Sequence, residues 1–235
     1  YLTSILKQNE PEAEVHSFTM TPAVSGGNNY CSRMWRIQVE YNVDGGRKQK
    51  SLMVKTTIPE GKQKEFMDGA KFSEKEFRFY NEFVNISRSI AEDVEIVPRS
   101  YVSFMPDTIV LEDLKPSGYI MADRLKQLDF DHCTVVITTM AKYHALSMAV
   151  TKRCPGVAES IGKENSFVAG NHRYEEDIIY RPSLKMFAKT VTSWEGFEKF
   201  NFIAEHNMEV VFNKFVEIYA PRPRFNVLNH GDLWT

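Results

Sequence analysis

Alternating apolar and polar residues mark the first part of the chain and predict β-strands there. A half-buried strand is expected over about 30–42, because every second side chain is apolar: Trp35, Ile37, Val39 and Tyr41. The Asp-Gly-Gly sequence at 44–46 predicts a hairpin, with a return strand at 51–57. A shorter strand is predicted at 14–20, before a turn at 25–30 where glycine and asparagine cluster.

Apolar residues spaced three and four positions apart predict helices elsewhere in the chain. The predicted helices lie at 1–9, 72–85, 130–151, 173–190 and 195–219. Two more strands are predicted at 96–105 and 108–114. A strand-rich first half followed by a helix-rich second half predicts an α+β protein with two segregated lobes.

A change in composition near residue 115 predicts the boundary between these lobes. The apolar strand around 109–111 gives way to Lys-Pro-Ser-Gly-Tyr at 115–119, and proline and glycine are typical of a linker. The sequence therefore predicts a β-rich lobe over 1–114, a linker over 115–119 and a helical lobe over 120–235.

Composition narrows the function classes without choosing one. The chain has 235 residues, 43% of them hydrophobic and 26% charged, which is ordinary for a soluble protein with a core. A formal net charge of −2 gives no reason to expect nucleic acid or an anionic membrane as a partner. No run of residues approaches the ~20 apolar positions of a membrane span.

The cysteines and the chain ends bear on compartment and length. Cys31, Cys133 and Cys154 are scattered and form no Cys-x-x-Cys pair, which argues against a disulfide framework or a zinc site. The first residues lack the shape of a signal peptide, so a reducing, cytoplasmic compartment is expected. Because the chain starts at Tyr1 rather than methionine, we expect a longer natural protein.

Five short features together suit a phosphotransfer site, although each has a plain structural explanation as well. Gly26, Gly27 and Asn28 could approach phosphate oxygens closely, or could simply form a hairpin turn. Lys55 could hold phosphates while Glu76 fixes its side chain, or both could be solvated surface charges.

The remaining features lie near the expected linker and at the end of the chain. Glu112, Asp113 and Leu114 could offer free backbone groups outside the sheet to an adenine edge, or could cap a strand. Asp232 could accept or orient an attacking hydroxyl at a glycine turn that His230 braces, or could be a turn aspartate. The order of all five features is that of a kinase-like catalytic core, which favours the kinase interpretation.

Several motifs together resemble the ecdysteroid-kinase-like family, also called CHK-kinase-like. The matching segments are Gly27 to Ser32, Val54 to Thr56, Glu76 to Tyr80, Val110 to Leu114, Ala141 to Ser147 and His230 to Trp234. The family is abundant in insects and is related to choline kinases and aminoglycoside phosphotransferases. The resemblance implies a bilobal protein-kinase-like fold and ATP- and Mg²⁺-dependent phosphorylation of a small-molecule hydroxyl, with ecdysteroids as the named acceptors.

The resemblance also implies a role for each matching residue. Lys55 would bind the nucleotide phosphates and Glu76 would pair with it. Residues 112–114 would contact adenine, and Asp232 would be the catalytic aspartate. The family's Mg²⁺ ligands, an asparagine and an aspartate, would lie beyond Thr235. We therefore expect a fold truncated in its C-terminal lobe, and a chain that is inactive by itself although its full-length parent is a kinase.

Two other functions stay open from the sequence. A kinase-fold module could bind a nucleotide or an apolar ligand without turnover. A protein kinase is disfavoured, because the loop reads His-Gly-Asp rather than His-Arg-Asp and no Gly-x-Gly-x-x-Gly is present.

Polar residues on the predicted helix at 130–151 have structural explanations. His144 lies on the apolar stripe of this helix and is expected to be a core histidine with a satisfied hydrogen bond. Asp129 or Asp131 is expected to cap the helix, since their spacing with His132 and Cys133 matches no standard metal site.

Overall fold

The computed structural model of the chain describes residues 1–24, 31–69, 71–123, 125–162, 181–200 and 226–233, with a few positions between 210 and 222. This part of the chain combines a five-stranded antiparallel sheet with helices, which confirms the predicted α+β class. Within these ranges, no helix has both the length and the apolar character that a bilayer crossing requires.

The sheet contains the strands that the alternating pattern predicts. The strands are β1 Glu14–Pro22, β2 Ser32–Val43, β3 Gly46–Thr57, β4 Ser100–Tyr101 and β5 Thr108–Glu112. Neighbouring strands are antiparallel and lie in the order β1-β2-β3-β5-β4. The prediction of a full strand at 96–105 is wrong, since β4 has two residues. Pro98 lacks a backbone N–H to donate, and the chain bends from Phe104.

Asp44 and Gly45 close the β2–β3 hairpin. Both residues have positive φ angles, 50° and 75°, as a two-residue type I′ turn requires. The resulting register pairs Ile37 with Leu52, so that the apolar side chains of the two strands share one face. The opposite face of the hairpin carries Lys55, which is an odd number of residues from Leu52.

Seven helices are described, and most agree with the apolar spacing. The helices are α1 Leu2–Leu6, α2 Lys62–Gly69, α3 Phe72–Arg78, α4 Val84–Ile90, α5 Phe130–Arg153, α6 Pro155–Gly162 and α7 Arg181–Val191. A π-helical turn, Phe79–Phe83, joins α3 to α4, so the helix predicted at 72–85 continues to Ile90. The prediction at 130–151 is confirmed by α5.

The helix predicted at 195–219 is wrong at its start. Turns occupy 192–196, and a short 3₁₀ helix, Glu198–Phe200, follows. Gly196 has a φ of 81°, in the left-handed region, and this interrupts a right-handed helix. Residues 201–209 and half of the positions from 210 to 219 lie outside the described residues, as do 173–180 from the preceding predicted helix.

The apolar face of the sheet forms the first core. Helix α1 packs Ile5 and Leu6 against this face, where Val39 and Leu52 are also essentially unexposed. Full burial of such a side chain contributes about 1.5–3 kcal/mol. This core covers one face of the sheet and leaves the opposite face to carry the polar groups described below.

A second core joins the α3–α4 helical stretch to α5. Its centre is an aromatic cluster of Phe79, Phe83 and Tyr143, in which Phe83 is fully buried. The Phe79 and Phe83 rings stack with centroids 5.2 Å apart, and Tyr143 meets Phe83 edge-on at 5.8 Å. Leu228 also packs against this core, so two distant parts of the chain meet there.

Asp129 caps the N-terminus of α5, as predicted. Its Oδ1 accepts a hydrogen bond from the His132 N–H at 2.8 Å. We expect Asp129→Ala to lower the free energy of unfolding by about 0.5–2 kcal/mol, measured by urea denaturation. Asp131→Ala removes a carboxylate from the same first turn and serves as the control, with a smaller loss expected. Equal losses in the two variants would contradict the capping assignment.

Candidate functional site

A lysine–glutamate ion pair joins strand β3 to helix α3. Lys55, near the end of β3, places its Nζ 2.7 Å from both Oε1 and Oε2 of Glu76. The two side chains remain 30% and 34% exposed, so a ligand can reach the charged atoms. The contact that the sequence predicts between these residues is present, while their role in nucleotide binding stays a prediction.

A surface recess surrounds this ion pair. Its lining includes Ser32, Thr56, Ser73 and Asp107 as well as the ion pair itself. Hydroxyl and ammonium groups can donate hydrogen bonds to anionic oxygens. Glu76 and Asp107 add negative charge, so the recess suits an anion that arrives with a cation.

Tyr80 lies one helical turn after Glu76 and is a neutral group. Burial and the nearby Glu76 carboxylate raise the pKa of Tyr80 to about 12. A phenol with such a pKa remains protonated at neutral pH and is a poor general base. Tyr80 therefore supports the helix that carries Glu76, where it also packs against the second core.

The sheet face that carries Lys55 also carries four residues that the sequence patterns did not reveal. The register places Met34 opposite Lys55, and Met53 between Arg36 on β2 and Leu111 on β5. Directly opposed residues of antiparallel strands share a face. The methionines and Leu111 are half-buried and form an apolar stretch beside the ion pair. Because alternate residues of a strand share a face, Met53 could have been identified from the sequence, two positions before Lys55. Its neighbours on the other strands can be identified only once the pairing register is known.

The backbone after β5 differs from the free linker that the sequence predicts. Glu112 belongs to β5, and its N–H donates to the Arg99 carbonyl at 2.8 Å. The Asp113 N–H donates to the Ser51 carbonyl at 3.4 Å. The prediction of free backbone donors is therefore wrong for both residues, because sheet hydrogen bonding extends past the strand. Within the described residues, the Leu114 N–H has no such partner.

The Asp113 side chain is buried and fully engaged inside the protein. Arg36 Nε and Ser51 Oγ donate to its Oδ2 at 2.7 and 2.6 Å, and the Lys115 N–H donates to its Oδ1 at 3.2 Å. Burial acts to raise the pKa of Asp113, but these hydrogen bonds outweigh it and hold the pKa below its ordinary value. This carboxylate is therefore not available to a ligand.

The His-Gly-Asp loop is anchored on α5 just before it begins. The Leu228 N–H donates to Ser147 Oγ at 2.6 Å, and Ser147 is fully buried. Gly231 has a φ of 82°, which favours glycine, and the Asp232 N–H donates to His230 Nδ1 at 3.2 Å. The predicted bracing of the loop by histidine is therefore present. Asp232 is exposed, and it is not among the described residues that line the recess.

The described residues include neither the predicted glycine loop nor a cluster of metal-binding side chains. Gly26, Gly27 and Asn28 lie outside the described residues. Among the residues that are described, no group of three or more His, Cys, Asp or Glu side chains could hold a metal ion. Mg²⁺ often needs only one or two protein carboxylates, since phosphates and waters supply its other ligands.

The expected hydrogen bond of His144 is absent from the described part of the structure. Its Nε2 is buried and has no partner there, so the prediction of a satisfied histidine is wrong. The ring lies beside that of Tyr143, with centroids 5.7 Å apart. A helical apolar stripe predicts burial, but it does not determine which groups surround the ring.

Comparison with known families bears on all these residues together. The family model of the Ecdysteroid kinase-like family matches residues 26–235, which is most of the chain. The chain belongs to the ecdysteroid kinase-like family. No curated protein and no solved structure matches it at a significant level.

Membership of the ecdysteroid kinase-like family confirms the resemblance found in the sequence. The matched range includes Lys55, Glu76, residues 112–114 and Asp232. At a coarse level, the family points to a kinase-like phosphotransferase acting on small molecules. The residues of this ecdysteroid kinase-like chain can therefore be considered as parts of a phosphotransfer site.

Proposed function

We propose that the protein is an ATP-dependent O-kinase that phosphorylates a hydroxyl group of an apolar, ecdysteroid-like small molecule. The observation that carries the proposal is the partly exposed Lys55–Glu76 ion pair in a recess that also contains hydroxyl-bearing residues. The family match supports kinase-like chemistry. The acceptor class rests on the family's description alone.

The ion pair supplies a fixed positive charge for the nucleotide phosphates. Glu76 holds the Lys55 ammonium through both carboxylate oxygens, which limits the rotamers of a flexible side chain. An ammonium fixed in this way stabilises the α- and β-phosphates with little further loss of side-chain entropy. The predicted glycine loop at 26–28 would add backbone N–H donors to the same phosphates.

The adenine ring would lie on the apolar stretch of the same sheet face. Met34, Met53 and Leu111 offer polarisable and apolar contacts to a flat ring. The unpartnered Leu114 N–H follows directly after β5 and could donate to the ring edge. Such a donor would distinguish adenine from bases that lack an acceptor at that position.

Asp232 would act on the acceptor hydroxyl. The hydroxyl oxygen forms a bond to the γ-phosphorus while the bond from that phosphorus to the bridging β–γ oxygen breaks. ADP leaves, and the hydroxyl proton passes to the Asp232 carboxylate. The exposed side chain and the bonded loop backbone agree with this role, since the carboxylate can meet a substrate at a fixed position.

Mg²⁺ is part of the proposal as the ion that accompanies ATP. When bound, it would offset part of the negative charge on the phosphates. The carboxylates of Glu76 and Asp107 beside the recess are compatible with a nearby cation, although we assign neither as a ligand.

Asp232 is exposed and is not among the described residues that line the recess, which favours a second candidate, a kinase-fold module that binds a nucleotide without transferring phosphate. Both candidates require nucleotide binding, and they differ in turnover. Consumption of Mg-ATP that depends on a hydroxylated acceptor, such as an ecdysteroid, supports the kinase. Tight nucleotide binding without phosphorylation of any acceptor in a broad panel supports the binding module.

Substitution of Lys55 tests the nucleotide site directly. We expect Lys55→Ala to weaken ADP binding by roughly 10- to 100-fold, because hydrogen bonds to a charged group contribute about 1.5–3 kcal/mol. Isothermal titration calorimetry on the full-length protein measures this change. Lys48→Ala is a matched control, since Lys48 lies on the same strand and also pairs with a glutamate, Glu10, at 2.8 Å. Unchanged ADP affinity in Lys55→Ala would refute the proposed role.

A further inference from the structure

A part-buried hydrogen-bond network ties the backbone after β5 to the middle of the sheet. Arg36 on β2 donates through Nε and Nη2 to the two oxygens of Asp113, at 2.7 and 3.4 Å. Ser51 on β3 donates to Asp113 at 2.6 Å and accepts from Gln38 at 2.9 Å. The Asp113 side chain is 3% exposed and that of Arg36 22%. Residues of β2 and β3 therefore meet at the one carboxylate that directly follows β5.

The network lies on the same sheet face as the proposed nucleotide site. Arg36 is directly opposite Met53, and Met53 is opposite Leu111, which precedes Asp113 by two residues. The Arg36–Asp113 ion pair therefore lies at one end of the apolar stretch on which adenine would lie. The Lys55–Glu76 pair lies towards the other end of this stretch, since Lys55 follows Met53 by two residues.

The same network restrains the residue that follows it. Asp113 is held through its side chain by Arg36 and through its N–H by Ser51, and its Oδ1 accepts from the Lys115 N–H. Leu114 lies between these restrained residues, and its carbonyl accepts from the N–H groups of the turn that follows. The Leu114 N–H is thus fixed in direction although it makes no hydrogen bond within the described residues.

We propose that the Arg36–Asp113 ion pair is a positioning element that fixes the backbone at Leu114 and thereby sets how selectively the site holds an adenine base. The inference rests on the proposed nucleotide site. Neither side chain needs to touch the ligand. Arg36 suits this task better than a lysine, because its planar fork can engage both oxygens of one carboxylate.

A purely structural role makes a different prediction from a positioning role. Breaking a buried ion pair destabilises a protein whether or not a ligand site is nearby. Lower stability alone weakens the binding of every ligand of the native state by the same factor. A shifted Leu114 N–H instead affects ligands that use it and spares ligands held only by phosphate contacts.

The test compares three ligands on two variants of the full-length protein. ADP carries an acceptor at N1 of its base, IDP carries a donor there, and inorganic pyrophosphate has no base. Titration calorimetry with Arg36→Lys and Asp113→Asn should show ADP binding weakened roughly tenfold, the size of one lost hydrogen bond. Pyrophosphate binding should stay within about twofold, and the preference for ADP over IDP should shrink.

Arg36→Lys keeps the positive charge and remains informative if Asp113→Asn fails to fold. Arg47→Lys is the matched control, because Arg47 pairs with Glu40 at 2.6 Å in the exposed part of the same sheet. This control should leave all three affinities unchanged. Equal losses for ADP, IDP and pyrophosphate, or no change in any of them, would overturn the positioning role. Failure of the unsubstituted protein to bind ADP would instead reject the nucleotide site itself.

Discussion

Asp232→Asn is expected to reduce ATP-dependent phosphorylation of the acceptor by roughly 10²- to 10⁴-fold, the usual contribution of a positioned general base. The substitution preserves the shape of the side chain and removes its ability to accept a proton. It should also leave the loop intact, since the hydrogen bond to His230 comes from the backbone N–H and Gly231 supplies the left-handed turn. ADP affinity should therefore change by less than about twofold.

Single-turnover kinetics with Mg-ATP, together with ADP titration, separates these two effects. Asp93→Asn is a suitable control, because Asp93 is also an exposed aspartate in a turn, following α4. Full phosphorylation activity in Asp232→Asn would show that the residue is only a turn aspartate. Loss of ADP binding together with activity would show that the loop, rather than the proton transfer, had been damaged.

The strands of the sheet are predictable because half-buried strands impose a strict period of two. The alternation around Ile37 identifies β2, and the Asp-Gly pair at 44–45 identifies its hairpin. The strand predicted at 96–105 is shortened to the two residues of β4 for a local reason. Pro98 has no backbone N–H to donate and the chain bends from Phe104, and neither effect can be detected from the spacing of apolar residues. Hydrophobic periodicity therefore predicts long elements better than short ones.

The candidate site is only partly predictable, because its residues come from separate elements. The order of parts along the chain, together with the family resemblance, indicates Lys55 and Glu76, and their side chains are in contact. Nothing in the local sequence indicates that Asp113 is paired with Arg36, which is 77 residues earlier. That partner, like the absent partner of His144, depends on strand register and on packing between elements.

The two halves of the proposed site share a support that the sequence does not reveal. Helix α3 presents Glu76, and the π-helical turn that follows it enters the second core. Leu228, just before the His-Gly-Asp loop, packs against the same core and is bonded to Ser147 on α5. Packing in this core should therefore influence the positions of the Glu76 and Asp232 carboxylates. Phe83 is its largest fully buried side chain.

Phe83→Ala is expected to lower the free energy of unfolding by about 3–5 kcal/mol, because a buried phenylalanine leaves a cavity as well as lost apolar contacts. Its ring stacks on Phe79 and meets Tyr143 edge-on, so the π-helical turn and α5 lose a common contact. Urea denaturation followed by circular dichroism measures the loss. Phe72→Ala is the matched control, since Phe72 lies on α3 and is 40% exposed.

Phe83→Leu keeps much of the apolar volume and provides a measurable variant if the alanine variant does not fold. We expect the losses to increase from Phe72→Ala to Phe83→Leu to Phe83→Ala. In the leucine variant, ADP binding should weaken more than the change in stability alone explains, because α3 carries Glu76 next to the disturbed core. A loss for Phe83→Ala no larger than that for Phe72→Ala would contradict a stabilising role for this ring between the π-helical turn and α5.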